Sequence, residues 1–395
     1  MKKRNQLRTW IEIDTGALAF NLAQFRKIIG PRRKFMAVVK SNAYGHGIVG
    51  TALALKKIMP SVWFGVDSLV EGLRLRREGI KNPILVLGST LPALFGEALR
   101  KNIVLSVSNF EALEAFSRLK VRPAAHIKID TGMHRQGFLP EESDKLLRHL
   151  KRAKMVPTGI YTHFAAAKDR AYPTATLQQF ERFQKVGRHF ERAGFKALIR
   201  HAAASGGTLL FPETHLDMVR VGMSLWGHWP SPECRVNVAS GKFGLPKITL
   251  KPVLSWKTRI AEVKKIPAGA MVGYDLTERV NRPSVIAVLP IGYWHGFDRG
   301  LSSKGAVLIK GKRARVLGRV SMDMIVCDVT GIQGVKAGDT AVLIGKQGKE
   351  NHACIYDDYP ATGGAGTPEL VANARLIAAA PELLAALKQW ADAPD

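Results

Sequence analysis

The chain is poor in cysteine. Its three cysteines, Cys234, Cys327 and Cys354, are far apart among 395 residues. They form neither a metal-ligand spacing nor the even set of a disulfide framework. A reducing, cytoplasmic compartment is therefore expected. No apolar run approaches the roughly 18 residues of a membrane span. The basic start runs into Trp10-Ile-Glu-Ile-Asp14 rather than an apolar segment, so no signal peptide is read there. A G-x-G-x-x-G turn is missing as well, which removes the main support for a doubly wound open sheet. Acidic residues are scarce: 32 stand against 59 Lys plus Arg, a formal net charge of +27. That imbalance raises the question of a polyanionic partner. However, the basic residues are scattered in short clusters such as Arg74 to Arg77 and Lys310 to Arg313, with no long arm and no nucleic-acid motif. Neither a specific nucleic acid nor a membrane is expected as a partner.

What is present is a regular alternation. From Trp10 to about residue 230, short apolar strands follow amphipathic helices. Phe35 to Val39, Trp63 to Val66, Ile84 to Leu87, Ile103 to Ser106, Ala124 to Ile129, Pro157 to Phe164, Ala197 to Ala202 and Met218 to Val221 read as strands. Near-continuous apolar strands alternating with helices predict an α/β fold, a TIM-like (β/α)8 barrel over residues 1–240. After the linker Gly241 to Pro246, short strands separated by Gly- and Pro-containing turns predict a mainly antiparallel β domain over residues 241–395. A helix from Thr367 to Trp390 is expected at its end.

Polar clusters stand where the barrel strands end. Phe35 to Val39 leads into Lys40-Ser-Asn-Ala-Tyr44-Gly-His-Gly47. Later strands lead into Lys128-Ile-Asp-Thr-Gly-Met-His-Arg135, Tyr161-Thr-His163-Phe, His201-Ala-Ala-Ala-Ser205-Gly-Gly and Arg220-Val-Gly222-Met223. The C-terminal mouth of such a barrel is where its chemistry collects. Burial there lowers an amine's pKa and makes it a nucleophile toward a carbonyl. Small turns opening helices suit an anionic phosphate, because free backbone N–H groups point outward. An amine, a phosphate cradle and an arginine in one mouth would suit pyridoxal 5'-phosphate.

In these motifs the chain resembles the alanine racemase family. The resemblance continues through Asp217 to Gly222, Val272-Gly-Tyr274, Leu289-Pro-Ile-Gly-Tyr-Trp-His-Gly296 and Gly318-Arg-Val-Ser-Met-Asp323, in order from about Trp10 to about Lys349. It implies that Lys40 is the Schiff-base lysine and one catalytic base. Tyr274 would be the opposing base, reaching the site from the partner of a homodimer with shared active sites. Racemisation needs two groups on opposite faces, since the proton leaves one side and returns on the other. His163, Arg220 and His201 would form the chain that assists Tyr274, with Arg220 facing the pyridine nitrogen and keeping it unprotonated. Tyr44, Ser205, Gly222 and Met223 match phosphate contacts. Arg135 and the backbone of Met322 match the substrate carboxylate site. Lys128 matches a position that can be carbamylated and then braces Arg135. No metal is implied.

Three departures stand out. Ser41 replaces the usual Ala, Ala204 replaces the usual Asn, and the family's usual ending is replaced by Tyr359 to Pro368 and a helix. That ending normally supplies a second tyrosine narrowing the way in, so its loss bears on substrate size. The expected function is interconversion of L- and D-alanine, supplying D-alanine for peptidoglycan. The alternatives are a racemase of broader specificity, taking serine or basic amino acids, and a non-catalytic protein that binds the same cofactor.

Overall fold

The computed structural model describes residues 7–347 together with 352–353, and the chain divides into two compact units. One is Thr15–Lys251; the other combines Met1–Asp14 with Pro252–Asp395. The first strand, β1 (Thr9–Ile13), belongs to the second unit, although it falls within the barrel span of residues 1–240 read from the sequence. The helix expected from Thr367 to Trp390 and the departure at Tyr359 to Pro368 lie outside the described residues.

The first unit runs α1 (Thr15–Ile29), β2 (Lys34–Val38), α2 (Lys40–Tyr44), α3 (Ile48–Ile58), β3 (Trp63–Val66), α4 (Leu69–Arg77), β4 (Ile84–Val86), α5 (Phe95–Arg100), β5 (Val104–Val107), α6 (Phe110–Ser117), β6 (Ala125–Lys128), α7 (Ser143–Arg152), β7 (Gly159–Tyr161), α8 (Thr174–Arg192), β8 (Ile199–His201), α9 (Ser205–Leu210), β9 (Met218–Val221) and α10 (Pro232–Ser240). Strands β2 to β9 form one parallel sheet in the order β8-β7-β6-β5-β4-β3-β2-β9. The sheet curls until its edges meet: Asp217 N donates to Arg200 O at 3.1 Å, and Arg220 N to Ala203 O at 3.0 Å. Side chains cap several helix starts, as where Ser68 Oγ accepts from Glu71 N and Asn109 Oδ1 from Ala112 N. The unit extends past the expected linker to Lys251 because the buried Asn21 of α1 binds that residue twice. Its amide donates to Lys251 O at 2.7 Å and its carbonyl accepts from Lys251 N at 2.8 Å.

Strand alternation decides what fills the barrel. Met36, Leu85, Val104 and Met218 pack together with Trp63, Ala124 and Ile199, an apolar plug near the strand starts. Two residues further on, the same strand faces carry Ser106 after Val104, His126 after Ala124, His201 after Ile199 and Arg220 after Met218. A buried polar layer therefore rests directly on an apolar one.

Among the described residues every strand pair of the second unit is antiparallel. With β1 it comprises β10 (Leu254–Arg259), β11 (Glu262–Ile266), β12 (Met271–Val272), β13 (Glu278–Arg279), β14 (Ser284–Leu289), β15 (Ala306–Ile309), β16 (Lys312–Leu317), β17 (Ile325–Asp328), β18 (Thr340–Lys346) and β19 (His352–Ala353). The sheet order is β1-β10-β18-β15-β16-β17-β14-β11, with β19 beside β18 and β12-β13 a separate ribbon. Trp256, Leu289, Phe297, Ile309, Val316 and Leu343 are among its core residues. Phe297 has no solvent exposure. Replacing it with alanine should destabilise this unit by roughly 3–5 kcal/mol, because the cavity adds to the lost transfer energy. Urea unfolding followed by tryptophan fluorescence would read the loss, and an unchanged midpoint would show the core to be elsewhere.

Candidate active site

At the C-terminal mouth of the barrel a cavity of about 650 Å³ is lined by residues that include Lys40, Tyr44, Asp67, Lys128, Arg135, His163, Ser205, Arg220, Gly222 and Met223. Nine of the sequence-selected residues thus meet in one place. His201 does not line it; fully buried, it sits behind Arg220.

Lys40 follows β2 and its Nζ lies 3.0 Å from Asp67 Oδ1. The next four residues, Ser41 to Tyr44, all have φ between 53° and 56°. Left-handed backbone costs non-glycine residues about 1–2 kcal/mol each, so the turn needs outside support. Asn42 N donates to Glu71 Oε1 at 3.3 Å, Asn42 Oδ1 accepts from Ile48 N at 3.0 Å, and the His46 ring N–H donates to Ala43 O at 2.9 Å. His46 in turn stacks on Trp226 at 4.7 Å. The turn brings the Tyr44 hydroxyl against Gly222, where any Cβ would lie 2.4 Å from it. Burial first, and then the Asp67 charge, push the Tyr44 phenol up to about 12, so it stays neutral. Ser205 Oγ accepts from Gly222 N at 3.1 Å, tying the two small-residue turns together.

A second loop sets Arg135. Burial would raise the Asp130 carboxyl, but N–H groups of Gly132, Met133, His134 and Arg135 all donate to it and hold it below its ordinary value. Lys128 Nζ donates to Gln136 Oε1 at 2.8 Å. Burial, then Arg135 and Arg220, bring the amine down to about 8.

Arg220 is 3% exposed and donates in four directions. NH1 reaches His201 Nδ1 at 2.8 Å; NH2 reaches Thr162 O at 2.7 Å, Ala202 O at 3.0 Å and His163 Nδ1 at 3.4 Å. Its guanidinium lies 5.2 Å above the Tyr161 ring, which stacks at 4.7 Å on His201. Burial brings Arg220 down to about 10, still protonated at neutral pH. Burial and the Arg220 charge bring His163 down to about 3 and His201 well below its ordinary value, so both rings are neutral.

Tyr274 and Met322 lie in the other unit and are 69% and 48% exposed. Their motifs form one loop cluster there. Arg319 Nε pairs with Asp275 Oδ2 at 3.0 Å, and the N–H groups of Tyr293 and Trp294 donate to Ser321 O and Met322 O at 3.1 and 3.0 Å. Sequence reading missed Asp67, Gln136 and His126. Only His126 left a signal: it stands two residues before Lys128, on the same strand face.

A larger cavity, about 720 Å³, opens at the opposite end of the barrel. Its acidic groups are already used, since Arg200 pairs with Glu191 at 2.9 Å and Asp217 at 3.3 Å. None of the strand-end motif residues except Asp217 lines it, so it is not the candidate site.

A parallel barrel with a lysine and a buried arginine in its mouth, followed by an antiparallel β unit, defines an isomerase class whose family models match here. The alanine racemase N-terminal domain matches residues 13–230 and the C-terminal domain residues 253–365. The chain is 39% identical over 351 residues to the alanine racemase of Leptospira interrogans, covering 87% of this chain and 88% of that one. It is 41% identical over 345 residues to that of Desulforamulus reducens, with 85% and 90% covered. Among solved structures, alanine racemase from Clostridium difficile has a TM-score of 0.82 at 29% identity, covering 94% of this chain and 93% of that one. The chain belongs to the alanine racemase family, and it is an amino-acid racemase.

Buried neutral histidines make stability depend on pH. His46 and His228 sit at about 4, His126 and His163 at about 3, and burial is the leading cause in each. Unfolding frees these rings to bind protons at their ordinary value near 6.5. Their depressed folded values mean the stabilisation is complete above about pH 6.5 and is lost as pH falls toward 4 and 3. The midpoint of thermal unfolding should drop steadily between pH 6.5 and 4. A flat profile over that window would contradict the neutral assignment.

Proposed function

We propose that this racemase interconverts L- and D-alanine using pyridoxal 5'-phosphate, as a homodimer with shared active sites. The observation that carries the reading is the convergence of Lys40 and Arg220 on one cavity with a small-residue wall. The residues present fit the cofactor. Glycine at 222 leaves the space that any Cβ would close against Tyr44, Tyr44 and Ser205 offer hydroxyls, and Arg220 offers a donor that needs no carboxylate. Solved relatives with cycloserine and with bound L-Ala-P support a site of amino-acid size.

When bound, pyridoxal phosphate supplies the electron sink that acidifies the substrate Cα–H. Lys40 holds the cofactor and moves the Cα proton on one face. Tyr44, Ser205, Gly222 and Met223 bind the phosphate. Arg220 would face the ring nitrogen with a donor, and at about 10 it keeps its own proton at neutral pH, so it would leave that nitrogen unprotonated. Tyr274 of the partner subunit serves the opposite face. His163 accepts from Arg220 at Nδ1, which leaves its proton on Nε2 to stabilise a phenolate. Arg135 and Met322 of the partner subunit hold the substrate carboxylate. The exposure of Tyr274 and Met322 on a single chain supports their service across a subunit boundary. The D-alanine formed would supply peptidoglycan synthesis.

A second reading, racemisation of basic amino acids, is favoured by the Asp67 carboxylate on the cavity wall. A screen of all amino acids in deuterated water separates the two by which substrates gain deuterium. Exchange with alanine supports the first; no exchange with any amino acid would end both. Lys40→Ala should abolish the visible absorbance of the cofactor-loaded protein, and a wild type lacking that band would remove the cofactor assignment. Tyr274→Phe should lower racemisation by about 100-fold or more in both directions, because the enantiomers are equal in energy, while leaving the band intact and leaving Cα deuterium exchange of one enantiomer running. Unchanged racemisation, or deuterium exchange lost equally for both enantiomers, would remove the two-base scheme.

A further inference from the structure

His126 is fully buried on β6 and belongs to no part of the reaction described so far. Its Nδ1 lies 2.8 Å from His201 Nε2, and His201 Nδ1 lies 2.8 Å from Arg220 NH1. We propose that His126 is a positioning residue that locks His201 in one tautomer and so holds Arg220 in place. The proposal rests on the preceding reading only for what Arg220 faces.

The proton positions follow from donor counting. A guanidinium donates and never accepts. His201 must therefore present a lone pair at Nδ1, and as a neutral ring it carries its proton on Nε2. That proton needs an acceptor, and His126 Nδ1 is the only group bonded to it among the described residues. His126 in turn carries its proton on Nε2, which has no hydrogen-bond partner among the described residues. The chain ends there on an unsatisfied buried donor, which costs free energy. A ring held for packing alone has no need to face its lone pair toward a neighbouring histidine.

The fold makes room for this arrangement. A Cβ at residue 159 would lie 2.6 Å from His126 Cε1 and Nε2, so the ring occupies space that exists only because Gly159 has no side chain. Trp63 covers it at 5.9 Å, and Tyr161 holds the His201 ring in plane, with its hydroxyl 2.8 Å from Ser106 Oγ. Without the His126 acceptor, the His201 proton loses its partner. Shifted to Nδ1, it would oppose an Arg220 donor. The guanidinium would then have to move from a site where two of its other partners are backbone carbonyls, Thr162 O and Ala202 O.

The test uses purified full-length protein labelled with 15N-histidine, with the His201 ring assigned by its loss in His201→Gln. The wild type should show Nε2 protonated and Nδ1 bare between about pH 6 and 9, with no charged ring. His126→Asn, whose Oδ1 keeps an acceptor near the same position, should preserve those shifts. His126→Leu should move the proton to Nδ1 or mix the tautomers. For alanine turnover, kcat should fall about tenfold in the leucine variant and recover to within about threefold in the asparagine variant, with KM changed less than kcat. A wild-type His201 protonated at Nδ1 overturns the proposal, as does a leucine variant with wild-type shifts and kcat. Should the leucine variant fail to fold, the asparagine variant decides: loss of the wild-type tautomer there overturns the proposal, and retention upholds it. The nitrogen shifts need no turnover. A wild type with the expected tautomer but no racemisation would therefore refute the proposed reaction while upholding the lock.

Discussion

A buried positive charge with no carboxylate paired to it among the described residues is the constraint around which the barrel interior is built. Placing an unpaired guanidinium in a low-dielectric site is costly unless every donor finds an acceptor. Arg220 offsets much of that cost with two backbone carbonyls and two histidine nitrogens, all on its NH1 and NH2 groups. Those histidines must be neutral, and burial together with the arginine's own charge keeps them so. The aromatic face of Tyr161 adds a further favourable contact. A carboxylate in the same position would have cancelled the charge, and with it the reason for a donor that never yields its proton.

The strand-end geometry and the left-handed turn at Ser41 to Tyr44 solve one problem together. Lys40 has to leave β2 toward the cavity, while Tyr44 has to approach Gly222 closely enough that no side chain fits between them. Four left-handed residues in succession achieve that reversal in a single turn. Support from Glu71, Ile48 and the His46–Trp226 stack spreads its cost over two neighbouring helices and a buried indole.

Much of this was legible beforehand. Apolar runs ending at Lys40, Lys128, His163, His201 and Arg220 placed those residues at one barrel mouth, because a parallel strand buried on both faces leaves polar side chains only at its ends. The turn after Lys40 was not legible, since of Ser41, Asn42, Ala43 and Tyr44 only Asn42 is of a type that favours a positive φ. Asp67 and His126 were missed because their importance lies in partners on other strands. His126 meets His201 across 75 residues of sequence. Thr9–Ile13 forms a strand of the second unit, and periodicity says nothing about which sheet a strand joins.

That last strand carries a consequence for how the protein is made. β1 pairs along its full length with β10, Thr9 opposite Thr258 and Ile13 opposite Leu254. On the ribosome its partner emerges only after the whole barrel has been translated, a wait of roughly 10–50 seconds at ordinary elongation rates. Throughout that interval β1 lacks the partner it has in the finished fold. The barrel strands can all pair before β1 does, so a strand that precedes them in sequence is secured after them.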